Sequence, residues 1–271
     1  MTNSGVKILV IGDVVGKPGR RAVRELLDGL IDTCRIDLTV ANVENAAGGF
    51  GITYDSLTEL FDAGVDVMTT GNHVWDKKEA LNLLESAEYV LRPANYPPGV
   101  PGKGWCVART PGGVEVAVLN ISGRVFMSAL DCPFRRADDF LEKDAPGIAC
   151  TLVDFHAEAT SEKRALSIYL DGRVSALFGT HTHVPTADER VLPGGTAYIT
   201  DVGMTGNDEG SVIGIEYEAA RCRFLTQMPS RFNLAKGIPT LNGAIITLDP
   251  GTGRALSIQR VAKSLDRSVS P

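Results

Sequence analysis

The chain has 271 residues, 44% hydrophobic and 22% charged, with a formal net charge of −6. Its length suits one large α/β domain or two small ones, the composition is that of a globular chain with a sizeable core, and no apolar run approaches the roughly 20 residues that cross a bilayer. The acidic balance and the lack of a basic run argue against duplex nucleic acid or a membrane as partner, so any anion handled here must be attracted locally.

The opening MTNSGVKILV has no basic segment leading into a long apolar one, so no secretory leader is expected. VKILVIG reads as a strand ending at Asp13, and GRRAVRELLDGLI as a helix with Pro18 in its first turn. IDLTVANV is a strand ending at Glu44 and Asn45, followed by the helical LTELFDAG. VDVMTT is a strand leading to Asn72 and His73. KKEALNLLESA then forms a helix whose start signal is a capping box, Asp76 at the N-cap and Glu79 three residues on. Such alternation implies a largely parallel sheet with crossover helices. The Pro- and Gly-rich stretch 95–113 could link two domains. Trp105, Val107 and VEVAVLNI (114–121) are strand-like, however, so it reads as a turn region inside a single domain spanning 1–271.

The second half holds more strand: CTLVDF leading to His156, VSALFGT leading to His181 and His183, then TAYIT and LNGAIITL. Helices are expected at TSEKRALSIYL, capped by Thr160 through Glu162, and at EYEAARCRFL. The glycine-rich 201–214 reads equally as a lid or as a surface connection. Residues 261–271 read as a frayed tail. A mixed sheet or a pair of packed sheets flanked by helices follows. Cys34, Cys106, Cys132, Cys150 and Cys222 are odd in number and never spaced CxxC. They are expected to be reduced, small core residues in a cytoplasmic protein.

Five of the strand-like runs end on groups able to bind metal, and all four histidines of the chain belong to this set. In open α/β sheets the ligand site lies beyond the carboxyl ends of the strands, where distant loops converge. Asp13, Glu44, Asn45, Asn72, His156, His181 and His183 are too many ligands for one tetrahedral zinc. They suit two ions roughly 3.5–4 Å apart, bridged by a carboxylate. If THTH (180–183) continues the strand, His181 and His183 share a face roughly 6–7 Å apart, and each serves one ion. Two divalent cations exceed the charge that Asp13 and Glu44 return, which favours a hydroxide and an anionic substrate, phosphate above all. Mixed nitrogen and oxygen donors without thiolate suit Fe, Mn, Zn or Ni.

The motifs GDVVG (12–16), NVENAAGG (42–49), GNHVWD (71–76), DFHAEATSEK (154–163), GTHTHVPTAD (179–188) and TDVGMTG (200–206) resemble the YmdB-like branch of the calcineurin-type metallophosphoesterases, in the family's order over about positions 7 to 250. The resemblance implies a four-layer α/β/β/α sandwich and a dinuclear centre. Asp13, Asn45 and His183 would hold one metal, Asn72, His156 and His181 the other, with Glu44 bridging. His73 would be a proton donor for the leaving oxygen and not a ligand. The implied activity is hydrolysis of phosphodiesters, including 2′,3′-cyclic nucleotides, with iron or manganese as the metals. The implied partner is such a small phosphodiester, and a homo-oligomer is expected. The wider superfamily carries DxH and GDxxD motifs. Here Val15 stands where the first histidine would be and Glu44-Asn45 replaces the second motif, departures that the YmdB-like branch shares. A phosphomonoesterase or protein phosphatase on the same fold, or a metal-binding regulatory scaffold without turnover, are the alternatives; a histidine beside Asn72 argues against the scaffold. Gly12, Gly16 and Gly19 match neither a dinucleotide nor a Walker loop and read as turn glycines. Arg124 reads as a surface or packing residue rather than a phosphate contact.

Overall fold

The computed structural model describes residues 5–266. In chain order the first elements are β1 (Val6–Ile11), β2 (Asp13–Val14), α1 (Gly16–Cys34), β3 (Leu38–Asn42), α2 (Tyr54–Asp62), β4 (Val67–Thr69), α3 (Ala80–Ser86) and β5 (Val90–Leu91). Next come β6 (Trp105–Arg109), β7 (Glu115–Ser122), α4 (Pro133–Asp139), β8 (Cys150–His156), α5 (Thr160–Tyr169) and β9 (Ala176–Thr180). The remainder comprises β10 (Arg190–Val191), β11 (Ala197–Ile199), β12 (Met204–Asn207), β13 (Ser211–Val212), β14 (Ile215–Glu216), α6 (Tyr217–Thr226), β15 (Pro239–Leu248) and β16 (Ala255–Ser264).

These strands build two mixed sheets and a two-stranded ribbon, β13-β14. One runs β2-β12-β15-β1-β3-β4-β5, with β16 paired to β15; the other runs β10-β11-β9-β8-β7-β6. The expected parallel arrangement holds within each sheet: β1, β3, β4 and β5 are parallel to one another, as are β7, β8, β9 and β11. Antiparallel strands complete them, among them β15 beside β1 and β6 beside β7. All the parallel strands therefore point the same ends toward one edge of each sheet, which is where the polar residues of the sequence pattern fall.

Both faces of the central strands are apolar, the pattern of sheets covered on both sides. Ile8 and Val10 of β1 share a buried cluster with Leu152 of β8 and Phe178 of β9, so side chains of the two sheets meet. The alternate residues Leu9 and Ile11 join Val23 and Leu27 of α1 and Leu60 of α2. On the far side, Val153 and Phe155 of β8 pack with Leu166 of α5 and with Leu170 at its C-terminal cap.

Several local expectations change. The helix after β4 begins at Ala80, not Asp76. The Asp76 carboxylate is engaged with His73 Nδ1 at 2.8 Å, and Glu79 Oε2 accepts from the Tyr54 N–H at 3.1 Å, so neither caps. Helix α5 has Ala159 at its N-cap and no side-chain cap; Glu162 instead accepts the main-chain N–H groups of Arg124 and Val125. Arg124 itself is exposed. Of the three early glycines, only Gly16 has a left-handed backbone, at φ 57°. Gly12 allows β1 to pass against the Gly203 carbonyl, where a Cβ would collide. The chain from Val261 to Ser264 pairs with β15 and is not frayed, while 267–271 lie outside the described residues. All five cysteines are free; Cys106 and Cys150 are buried as expected, but Cys222 is exposed. No helix among the described residues is long and apolar enough to cross a membrane.

Because Phe178 is fully buried between the sheets, Phe178→Ala is expected to cost about 3–5 kcal/mol of stability. A urea melt showing less than about 1 kcal/mol of loss would contradict this packing.

Candidate metal centre

The carboxyl ends of β1, β3, β4, β8 and β9 deliver the predicted residues to one place. Glu44, His156 and His181 each bring a donor atom within 4.8 Å of the others. His156 is fully buried, and its Nε2 has Asn72 Oδ1 at 3.0 Å, Glu44 Oε1 at 3.1 Å and His181 Nδ1 at 3.1 Å. One ring nitrogen can satisfy only one of these three neighbours by hydrogen bonding. Asp13 is also fully buried; Oδ2 accepts from the His181 N–H at 3.1 Å, while Oδ1 has no hydrogen-bond partner and lies 3.8 Å from His183 Nε2. Asn45 donates through Nδ2 to the Gly49 carbonyl at 2.9 Å, which leaves its buried Oδ1 without a partner. His73 stands beside this group. Its N–H donates to Glu44 Oε2 at 3.0 Å, and its ring, 4.9 Å from Phe50, is held through Nδ1 by Asp76.

The three clustered imidazoles share one feature: each is tied on one side and leaves the other nitrogen for the cluster. Thr180 Oγ1 donates to Asp154 Oδ1 at 2.7 Å, so it accepts from His156 Nδ1 at 2.9 Å. That assigns a proton to His156 Nδ1 and turns Nε2 toward the cluster, where its lone pair would face a bound ion. His181 Nε2 meets Glu158 Oε2 at 3.0 Å, and His183 Nδ1 donates to the Ile213 carbonyl at 3.0 Å. Outer hydrogen bonds of this kind orient metal-binding histidines. Together with the two unpartnered buried oxygens and the crowding around His156 Nε2, the donor set fits a cation.

The field points the same way. Burial works to lower the His156 pKa, but the carboxylates of Glu44, Asp13 and Asp154 outweigh it and raise it to about 9. Burial opposes ionisation of Glu44, yet His156 and the His73 N–H pull its pKa down to about 2. His181, by contrast, is pushed down to about 3 by burial and the neighbouring His156. Burial raises Asp13, against the pull of His183 and His156.

The THTH segment does not continue the strand. β9 ends at Thr180, and His181 and His183 adopt left-handed backbone at φ 92° and 64°. For non-glycine residues such conformations cost free energy and persist where surroundings enforce them. A buried ion pair provides that enforcement. Lys163 Nζ donates to the Thr180 carbonyl and to Asp201 Oδ2, both at 2.8 Å, and the same Asp201 oxygen accepts from Thr182 N–H and Oγ1 at 3.1 and 2.6 Å. These groups were not singled out from sequence. Lys163 had a signal: it falls on the stripe shared with Leu166 and Leu170, the apolar face of α5. Asp154 and Thr180 are polar interruptions in apolar strands, another usable signal.

A cavity of ≈ 130 Å³ opens onto Glu44, His73, His181 and His183 on one side and Phe50, Ile213, Phe232 and Leu234 on the other. The 201–214 segment is thus partly wall. Met204 to Asn207 are buried strand, and Ile213 holds His183.

Residues 9–261 match the family model described as YmdB-like protein. A Bacillus subtilis (strain 168) protein named 2′,3′-cyclic-nucleotide 2′-phosphodiesterase is 48% identical over 256 residues, covering 94% of this chain and 96% of that one. Among solved structures, a Thermus thermophilus protein described as hypothetical superposes with a TM-score of 0.90 at 47% identity, covering 96% of this chain and 100% of its own. A Mycoplasma pneumoniae protein described as a novel phosphatase gives a TM-score of 0.91 at 34% identity, over 99% and 96% of the two chains.

Lys163→Met would leave Asp201 buried without its counter-charge, and is expected to lose about 3–5 kcal/mol in urea unfolding. The double variant Lys163→Met with Asp201→Asn should lose less than the single one. Equal losses would mean that packing, not charge, makes Lys163 necessary.

Proposed function

Because the chain belongs to the YmdB-like protein family, we propose that it is a phosphoesterase using two metal ions to hydrolyse small phosphodiesters such as 2′,3′-cyclic nucleotides. The observation that carries this reading is the set of three imidazoles, each anchored by one nitrogen, whose other nitrogens converge with Glu44, Asn72 and Asp13. The 2′,3′-cyclic nucleotide is taken from the Bacillus subtilis relative, whose name states it. We read the chain as one domain with a four-layer α/β/β/α architecture, supported by the apolar cluster between the sheets and the two clusters beneath the helices.

In the proposed centre Asp13, Asn45 and His183 would hold one ion and Asn72, His156 and His181 the other, with Glu44 as a ligand to both. Nitrogen and oxygen donors without thiolate suit iron or manganese, and also zinc. When bound, the ions polarise phosphoryl oxygens and make water a nucleophile at neutral pH. The protein's own residues do the rest. Asp13 and Glu44 return fewer charges than two cations bring, so the site keeps a positive excess for a phosphate diester despite the chain's net −6. Phe50, Phe232 and Leu234 give the organic part of the ester an apolar wall beside the donors. His73 lines the same cavity with Asp76 fixing its ring, which leaves Nε2 to hand a proton to the departing oxygen.

Two variants separate the roles. His73→Ala should keep its metal and lose about 10²–10⁴-fold in turnover of 2′,3′-cyclic AMP; full activity would remove its assigned role. Glu44→Ala should lose bound metal first, by elemental analysis of the purified protein, because a shared ligand holds both ions. Bis-p-nitrophenyl phosphate should be cleaved in preference to p-nitrophenyl phosphate; the opposite preference would favour a phosphomonoesterase.

A further inference from the structure

A larger cavity, ≈ 560 Å³, lies elsewhere: neither His73 nor any proposed metal ligand lines it. Its walls come from the residues flanking β5, the loop after it, β6 and α4, and its volume is in the range that accepts small organic ligands. Three cations line it, Arg92, Lys103 and Arg136, against one acid, Glu88. Glu88 answers Lys103 at 3.1 Å, and Asp144 answers Arg136 at 2.6 Å. Among the described residues no carboxylate stands within ion-pair distance of Arg92. Its Nε and Nη1 donate instead to the carbonyls of Pro101 and Pro93, at 3.1 and 2.9 Å. Arg136 Nε is likewise tied to the Ala94 carbonyl at 3.2 Å. Burial, then the charge of Arg136, disfavours the cationic form of Arg92. Two guanidinium groups are thus fixed by main chain around one cavity, with one charge unanswered.

Planar, pre-oriented guanidinium groups are the side chains best matched to phosphate oxygens. The cavity also has an aromatic wall. Trp105 is half-buried and held edge-on by Phe140 at 5.7 Å, and the exposed Tyr89 lines the same cavity. A flat apolar body can stack on such rings while its anionic end meets the arginines.

We propose that this cavity is a binding site for a nucleoside monophosphate, the phosphate on Arg92 and Arg136 and the base against Trp105 and Tyr89. Binding here does not require the metal centre. The test is isothermal titration calorimetry of the full chain with adenosine 5′-monophosphate and, separately, inorganic phosphate, each with and without a chelator. One equivalent of the nucleotide should bind in both conditions, and inorganic phosphate more weakly. Arg92→Met should weaken the nucleotide at least tenfold, Arg92→Lys less. Trp105→Leu should weaken the nucleotide while leaving phosphate unchanged. Thermal melts identify any variant that fails to fold, and Lys103→Gln, on the exposed rim, provides a variant outside the packed wall that should weaken binding two- to fivefold. No binding at millimolar nucleotide, binding lost entirely with the chelator, or a folded Arg92→Met variant that binds like the parent would each overturn the proposal.

Discussion

Asp13 and Glu44 are carboxylates withdrawn from water and placed beside imidazoles, and this one circumstance explains much of what surrounds them. An isolated buried carboxylate costs several kcal/mol, so each must be answered by cations or by hydrogen bonds. His156 answers Glu44, and the N–H groups of His73 and His181 supply main-chain donors to Glu44 and Asp13. Gly71 is glycine because a Cβ would strike both His156 Nε2 and Glu44 Oε2. One ring of polar support lies behind that. Asn42 and Thr69 join Thr180 on the Asp154 carboxylate, and Thr180 in turn sets His156. His156 is thus held by groups that do not line the cavity.

The sheet architecture was legible because the strands are short apolar runs punctuated by polar residues, and punctuation marks the tips. Asp13, Glu44, Asn72, His156 and His181 could be picked out for that reason alone, since each follows or closes such a run. What could not be read was anything decided by partners remote in sequence. Asp76 and Glu79 satisfy a local helix-start rule, yet His73 and Tyr54 take their carboxylates. Glu162 has the look of a first-turn residue but turns to Arg124 and Val125. The left-handed turns at His181 and His183 contradict the strand-like reading of THTH, because Lys163 and Asp201, from other elements, impose them.

The apolar side of the cavity begins at Val15. This residue is buried, precedes α1 and lines the cavity as an apolar wall rather than a donor. Close by, the Gly16 N–H donates to the Asn45 main-chain carbonyl at 2.9 Å, which ties the start of α1 to the Glu44-Asn45 turn. Asn45, whose buried amide oxygen has no partner, lines the same cavity as Val15. The same connection places Leu234 over Gly16 and Gly49, so the apolar side of the cavity and the turn beneath it are built as one unit.

The hydrogen bond from the His181 N–H to Asp13 joins residues 168 positions apart. The first of these groups follows a strand of one sheet and the second a strand of the other, so the proposed ligand set is complete only when both sheets are in place. An ion held in the proposed centre would therefore span both sheets and act as a clasp between them. Since an ion that binds only the native form deepens its stability in proportion to the logarithm of its free concentration, metal supply would set how long each copy survives unfolding as well as whether it can act.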